Sequence, residues 1–111
     1  MNLEDNLKFS LLTEFYGNLL TEKQRSILKD YFDNNISVSE IAKINNTTRQ
    51  AVNDIIQRTS KVLLDYEEKL KLLSKFNLIK VDVKEILDLL KSKNFDKSEV
   101  ETRLSKILEV I

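Results

Sequence analysis

The sequence predicts an all-α fold, and three observations carry that prediction. In 111 residues there is no proline and a single glycine, Gly17, so helix ends must be marked by capping side chains. Apolar residues recur three and four positions apart along most of the chain, which is the period of one helix face. The alternation of a half-buried strand is missing, and the longest candidate, Leu78-Ile79-Lys80-Val81, reads equally as a linker. Hydrophobic residues at 41% and charged residues at 32% suit a folded helical protein rather than a disordered segment.

Taken in order, the first helix carries Leu7, Leu11, Leu12, Phe15 and Tyr16 and is expected to end at Gly17 in a left-handed C′ position. Thr21 opens the second helix, with Gln24 completing a capping box. Its stripe is Ile27, Leu28, Tyr31 and Phe32, and Asp33-Asn34-Asn35 ends it by turn chemistry. Ser37 and Glu40 mark the start of the third helix, with Ile36 and Ile41 placed as a hydrophobic staple. After Ile41, Ala42 and Ile44 come Asn45 and Asn46. Asparagine tolerates positive φ better than other residues with a side chain, so a tight turn is expected there.

Thr48 is placed to cap a fourth helix. Its stripe of Val52, Ile55, Ile56, Thr59, Val62, Leu63, Tyr66, Leu70 and Leu73 runs to about Ser74, roughly 39 Å at 1.5 Å per residue. Three short helices cannot cover that length. Asp82 is expected to cap a fifth helix with Ile86, Leu87, Leu89 and Leu90. Asp96 and Glu99 start a sixth with Val100, Leu104, Ile107, Leu108 and Ile111. The chain thus divides into a head, 1–61, and a helical extension, 62–111, that folds back on the fourth helix or meets a second copy.

Composition narrows the function. Without cysteine or histidine there is no disulfide, no thiolate or imidazole metal site and no imidazole-dependent triad. One glycine is too few for a phosphate-binding loop or a dinucleotide turn, so no cofactor is expected. The acidic start (Glu4, Asp5) and the lack of a long apolar run exclude a leader and a membrane span, which predicts a cytoplasmic protein. Glu67 and Glu68 are adjacent but do not face each other on a helix, and read as solvated surface rather than a carboxylate pair. A binding module is expected, not an enzyme.

Formal net charge is zero, which argues against a general nucleic-acid coat protein. The segment 37–64 alone has a positive balance, with four basic and two acidic side chains. It also reads as a helix-turn-helix: a short helix, a turn at Asn46, small Ala42 where the two helices meet, and Val52 and Ile55 seating the second. The exposed start of that second helix offers Arg49, Gln50, Asn53 and Gln57. Arginine pairs bidentately with guanine, and Asn or Gln with adenine. Thr48 and the free amides of the helix start suit a phosphate oxygen. Lys43, Arg58 and Lys61, with Lys23 and Arg25, are candidates for backbone contact. Asp54 is tolerable there only if it accepts from cytosine N4 or pairs with Arg58. The same residues are also compatible with a packing module whose polar groups merely face water.

The strings Phe15-Tyr16-Gly17-x-Leu19-Leu20-Thr21-Glu22-Lys23-Gln24-Arg25, Ser39-Glu40-Ile41-Ala42 and Thr48-Arg49-Gln50-Ala51-Val52 together resemble the YlxM family of small bacterial helix-turn-helix proteins. The likeness covers roughly residues 5–75 and is looser beyond. The head is also similar to the sigma-factor region that reads the promoter −35 element. The resemblance implies a regulatory protein that binds duplex DNA, with Arg49, Gln50 and Asn53 at the recognition-helix start, acting as a homodimer through its C-terminal helices. It further implies a link to the signal recognition particle pathway. The alternative it leaves open is an accessory factor that binds the particle's protein or RNA without sequence-specific DNA binding.

Overall fold

In the first half of the chain, each helix start expected from a capping residue lies where the structure places one. The computed structural model describes residues 3–111, and among these the regular structure is entirely helical. We label the helices α1 (Leu3–Tyr16), α2 (Glu22–Leu28, continued by a π turn over Lys29–Asp33), α3 (Val38–Ile44), α4 (Arg49–Leu70), α5 (Leu72–Lys91) and α6 (Lys97–Val110). They group into two units, the first ending at Lys71 and the second Leu72–Ile111.

The first unit is built on α4. Val52, Ile56, Thr59 and Leu63 form its buried row at four- and three-residue spacing. Leu12 and Tyr16 of α1, Ile27 and Leu28 of α2, and Ile41 and Ala42 of α3 close around the same core. The inward face of α1 differs from the expected stripe: Phe9 stacks on Phe32 at 5.2 Å between ring centres, while Leu7 and Leu11 face outward. Ile44, at the end of α3, is likewise exposed. The core therefore draws α1 round toward the aromatic residue at the end of α2, which a period count on α1 alone does not reveal.

Gly17 corrects another expectation. It has no positive φ; it opens a 3₁₀ turn, Gly17–Leu19, that closes through the Leu20 amide onto the Gly17 carbonyl at 3.1 Å. The Arg25 side chain lies across this glycine, so an added Cβ would sit 3.1 Å from Arg25 Nε. The other side of that guanidinium donates to Asn18 Oδ1 at 3.4 Å. A small residue is wanted here for close approach, not for backbone freedom.

The Thr21 capping box is complete, with the Gln24 amide donating to the Thr21 hydroxyl and the Thr21 amide to Gln24 Oε1. At its other end α2 widens into the π turn, where the Asn34 amide reaches the Lys29 carbonyl and the Ile36 amide the Asp30 carbonyl. The chain turns at Asp33-Asn34-Asn35 as expected, and Asn35 takes φ 54°, a left-handed backbone that asparagine tolerates.

The second unit departs most from expectation. The fourth helix stops at Leu70, because Lys71 adopts a left-handed conformation (φ 56°, ψ 30°) while its amide still bonds to the Glu67 carbonyl. No glycine or asparagine marks that break. Residues 78–81 are helical, and Asp82 lies inside α5 instead of capping it. The reason is the row Leu72, Phe76, Ile79, Val83, Ile86 and Leu90, whose unbroken four-three spacing carries a helix through the β-branched stretch. Asp96 does cap α6, accepting from the Ser98 amide at 2.9 Å. Arg103 of α6 pairs with Glu85 of α5 and with Glu99 one turn back. No helix is long and apolar enough to cross a membrane among the described residues.

Among the described residues, the buried side-chain atoms without a hydrogen-bond partner are Thr59 Oγ1, Ser60 Oγ and Arg103 Nε, and the first has a clear consequence. Thr59 is fully buried, and among the described residues its hydroxyl meets no hydrogen-bond partner. A buried hydroxyl without a partner costs about 1–3 kcal/mol, whereas valine fills the same shape with no polar atom. Thr59→Val is therefore expected to stabilise the protein by about 1 kcal/mol, read as a higher urea midpoint at unchanged slope. A lower midpoint would mean that the hydroxyl is satisfied in solution.

Candidate nucleic-acid interface

The turn between α3 and α4 sets the site. Asn46 has φ 53°, its amide bonds to the Lys43 carbonyl at 3.1 Å, and the Thr47 amide reaches back to the Ala42 carbonyl at 2.9 Å. That pair of bonds around a left-handed residue is a Schellman closure, which satisfies the last carbonyls of α3 while reversing the chain. Asn45 contributes a further bond, its side-chain amide donating to the Ile41 carbonyl at 2.8 Å. A polar residue thus occupies a position where helix-turn-helix units commonly carry an apolar one, and it is half-buried because the carbonyl partners it. Asn45 was absent from the expected site set. An Asn-Asn pair at a helix end is the signal that could have placed it there.

Two residues beyond the turn, Thr48 caps α4 with extended backbone, its hydroxyl accepting from the Ala51 amide at 3.1 Å. The opening amides of a helix have no carbonyl within the helix to bond, so the tip of α4 presents donors and the positive end of the helix dipole. Ala42, 4% exposed, lets α3 lie close enough to hold that tip out.

Arg49, Gln50, Asn53, Gln57, Arg58 and Lys61 are all exposed; Gln50, Gln57, Arg58 and Lys61 lie on the side of α4 away from Val52, Ile56, Thr59 and Leu63, while Arg49 and Asn53 border that buried row. Arg49, Asn53, Gln57 and Lys61 follow one another at four-residue steps along one row. Gln50, Asp54 and Arg58 form the adjacent row. Thr48 sits at the tip, and Lys43 is exposed in the last turn of α3, just before the turn. The structure therefore brings all eight candidate residues to the exposed side of one helix-turn-helix unit. Arg25 is less available than expected, since it is engaged over Gly17 and Asn18; Lys23 is exposed.

Asp54 is paired with Arg58 at 3.2 Å across one helical turn. Their side chains are 59% and 80% exposed, so the pair contributes only about 0.3–0.5 kcal/mol. Arg58 can exchange that partner for a phosphate at little cost. Beyond Lys61 the surface changes character. Asp65 and Glu68 are exposed, but Glu67 is not simply solvated: it accepts from the Tyr16 hydroxyl at 2.7 Å and is half-buried. The distal part of α4 is thus used to hold α1. The candidate side chains Arg49, Gln50, Asn53, Gln57, Arg58 and Lys61 lie nearer the tip, and Lys69, in the last turn, stands apart from them.

This is the geometry by which helix-turn-helix proteins are recognised, and comparison with known proteins agrees. The family described as "Putative helix-turn-helix protein, YlxM / p13 like" matches residues 3–107. The chain belongs to that family. A UPF0122 protein of Clostridium acetobutylicum is 47% identical over 102 residues, covering 89% of this chain and 88% of the relative. One from Clostridium perfringens is 40% identical over 111 residues, with 96% and 98% covered. Another, from Fusobacterium nucleatum, is 41% identical over 109 residues, with 97% of this chain and all of the relative covered. Family membership thus spans both units, and the shared description is a helix-turn-helix rather than a catalytic activity.

Proposed function

We propose that the protein is a cytoplasmic, dimeric regulator that binds duplex DNA through the tip of α4. The observation that carries this reading is the Asn46 turn, which leaves Arg49 and Gln50 exposed at a capped and well-seated helix start. In this reading Arg49, Gln50 and Asn53 meet base edges in the major groove, Gln57 follows one turn later, and Thr48, Lys43, Arg58 and Lys61 hold phosphates. Similarity of the head to the sigma-factor region that reads the −35 element favours the same docking.

The test is selection from a randomised duplex library with the full chain at low salt. The expected result is enrichment of a defined site. With about three to five phosphates neutralised per head, log affinity against log salt should fall with a slope of about −3 to −4.5 per head. Arg49→Ala should weaken binding to the selected site by about 1–3 kcal/mol and relax preference at one base. A library that emerges unenriched would contradict the reading.

A second reading is an accessory factor of the signal recognition particle that contacts its protein or RNA. The zero net charge favours it, because a protein partner needs no cationic excess. Copurification with particle components supports it, and loss of that association on ribonuclease treatment points to the RNA. Absence of particle components from the purified material removes it.

A further inference from the structure

The outward side of α4 carries one charge of the wrong sign for a phosphate-lined partner. Between Arg49 and Leu64 the only carboxylate is Asp54, set among Arg49, Arg58 and Lys61. The next one along the helix, Asp65, stands about three turns further on, roughly 16 Å along the axis. Successive side chains advance by about 100° round a helix, which sets Asp54 straight across from the buried row of Val52, Ile56, Thr59 and Leu63. Gln50, Gln57 and Lys61 lie to one side of it and Arg58 to the other, and all are exposed. Asp54 is thus the middle of the outward surface.

Stability does not call for a carboxylate at this position. Asp54 packs against no core residue, and its pair with Arg58, 3.2 Å apart and largely in water, contributes little to folding. In a major groove the balance changes. Phosphates line the groove and water is thinned, so charges act on one another more strongly. A carboxylate accepts hydrogen bonds and donates none. Guanine and thymine turn acceptors toward it, and adenine sets its N7 acceptor beside the N6 amino group. Cytosine presents an amino group, N4, with no acceptor of its own beside it.

Arg58 links that base preference to the backbone. On a sequence that offers no amino group at the right place, the carboxylate keeps Arg58 as its partner, and the guanidinium is lost to the phosphates. Where cytosine N4 donates to Asp54, Arg58 is released to a phosphate oxygen. The correct site then gains a base contact and a phosphate contact together.

We propose that Asp54 is a specificity-determining residue: it accepts from a cytosine about two base pairs from the base met by Gln50, and on other sequences it withholds Arg58 from the backbone. This rests on the duplex-binding reading above and adds to it a base and a means of suppressing binding to unselected DNA.

Titrations of the full chain across a salt series test it, on the duplex that the wild type selects and on a duplex pool of random sequence. Asp54→Asn should bind the pool about threefold to tenfold more tightly, with a log–log salt slope steeper by about 0.9, the mark of one more phosphate neutralised. It should not gain on the selected duplex, so the ratio of the two affinities should fall by about tenfold. Selection repeated with this variant should lose cytosine at one position and keep the other preferences. Arg58→Gln should weaken the selected duplex more than the pool, and in the Asp54→Asn background it should weaken both alike. An affinity ratio and pool slope unchanged by Asp54→Asn, no cytosine at the position it relaxes, or equal losses from Arg58→Gln in the wild-type background would each overturn the proposal and leave duplex binding standing. A wild type that selects no duplex would remove duplex binding itself, and the proposal with it.

Discussion

A chain cut after Lys61 is expected to lose cooperative folding, whereas one cut after Lys71 keeps it. The cut at 61 follows the division read from the helix-turn-helix alone, but the first unit reaches Lys71. Leu63 is fully buried, and loss of such a side chain costs about 2–5 kcal/mol. Tyr66 packs on Tyr16 with ring centres 5.8 Å apart, a contact worth about 0.5–1.5 kcal/mol beyond its area. Glu67 accepts from the Tyr16 hydroxyl, and a hydrogen bond to a charged group contributes about 1.5–3 kcal/mol. Together these rival the ~5–15 kcal/mol that holds a typical small domain folded. Thermal melts followed by circular dichroism decide the matter. The 1–71 fragment should melt in one sharp transition, and the 1–61 fragment should show none. A sharp transition in 1–61 near that of 1–71 would mean that the distal turns of α4 do not support the head.

Asn46→Val should destabilise the protein by about 2–3 kcal/mol, while Asn46→Gly should be neutral or slightly stabilising. The backbone at Asn46 is left-handed, a region that costs ordinary residues about 1–2 kcal/mol and β-branched residues more. Glycine removes the steric cost and adds flexibility to the unfolded chain, and the two effects nearly cancel. The consequence extends to function. Relaxing a strained turn re-aims α4 relative to α3, so the valine variant should also lose affinity for a selected duplex beyond what its unfolded fraction explains. Urea midpoints and duplex titrations on both variants separate the two effects. Equal stability of the valine and asparagine chains would show that the left-handed turn is not required.

The fold was legible where a capping side chain has only one geometric use. Thr21, Ser37, Thr48 and Asp96 each cap the helix that follows, because a short hydroxyl or carboxylate before an apolar row satisfies amides that nothing else reaches. The turn at Asn46 was legible for a similar reason, and it takes positive φ; the break at Asp33-Asn34-Asn35 was placed by turn chemistry, without singling out Asn35 as its left-handed residue. The break at Lys71 was not, because lysine carries no preference for the left-handed region and the apolar period continues through it. Gly17 misled in the opposite direction: a glycine after a helix suggests positive φ, but here it makes room for Arg25 from the next helix, a contact that local sequence does not encode. The candidate site was readable as a set of residues on one helix side. The carbonyl bond of Asn45 and the use of Glu67 to anchor Tyr16 both depend on packing.

The central claim is that the tip of α4 is a free and firmly held surface for a polynucleotide. Backbone amide shifts of the full chain, followed by NMR while a duplex is added, test it most directly. The account predicts that the largest changes fall on Thr48, Arg49, Gln50 and Asn53, with Gln57 and Lys61 next and α5–α6 unmoved. Changes confined to α1 or to the α5–α6 hairpin, with the α4 tip silent at saturating duplex, would contradict it.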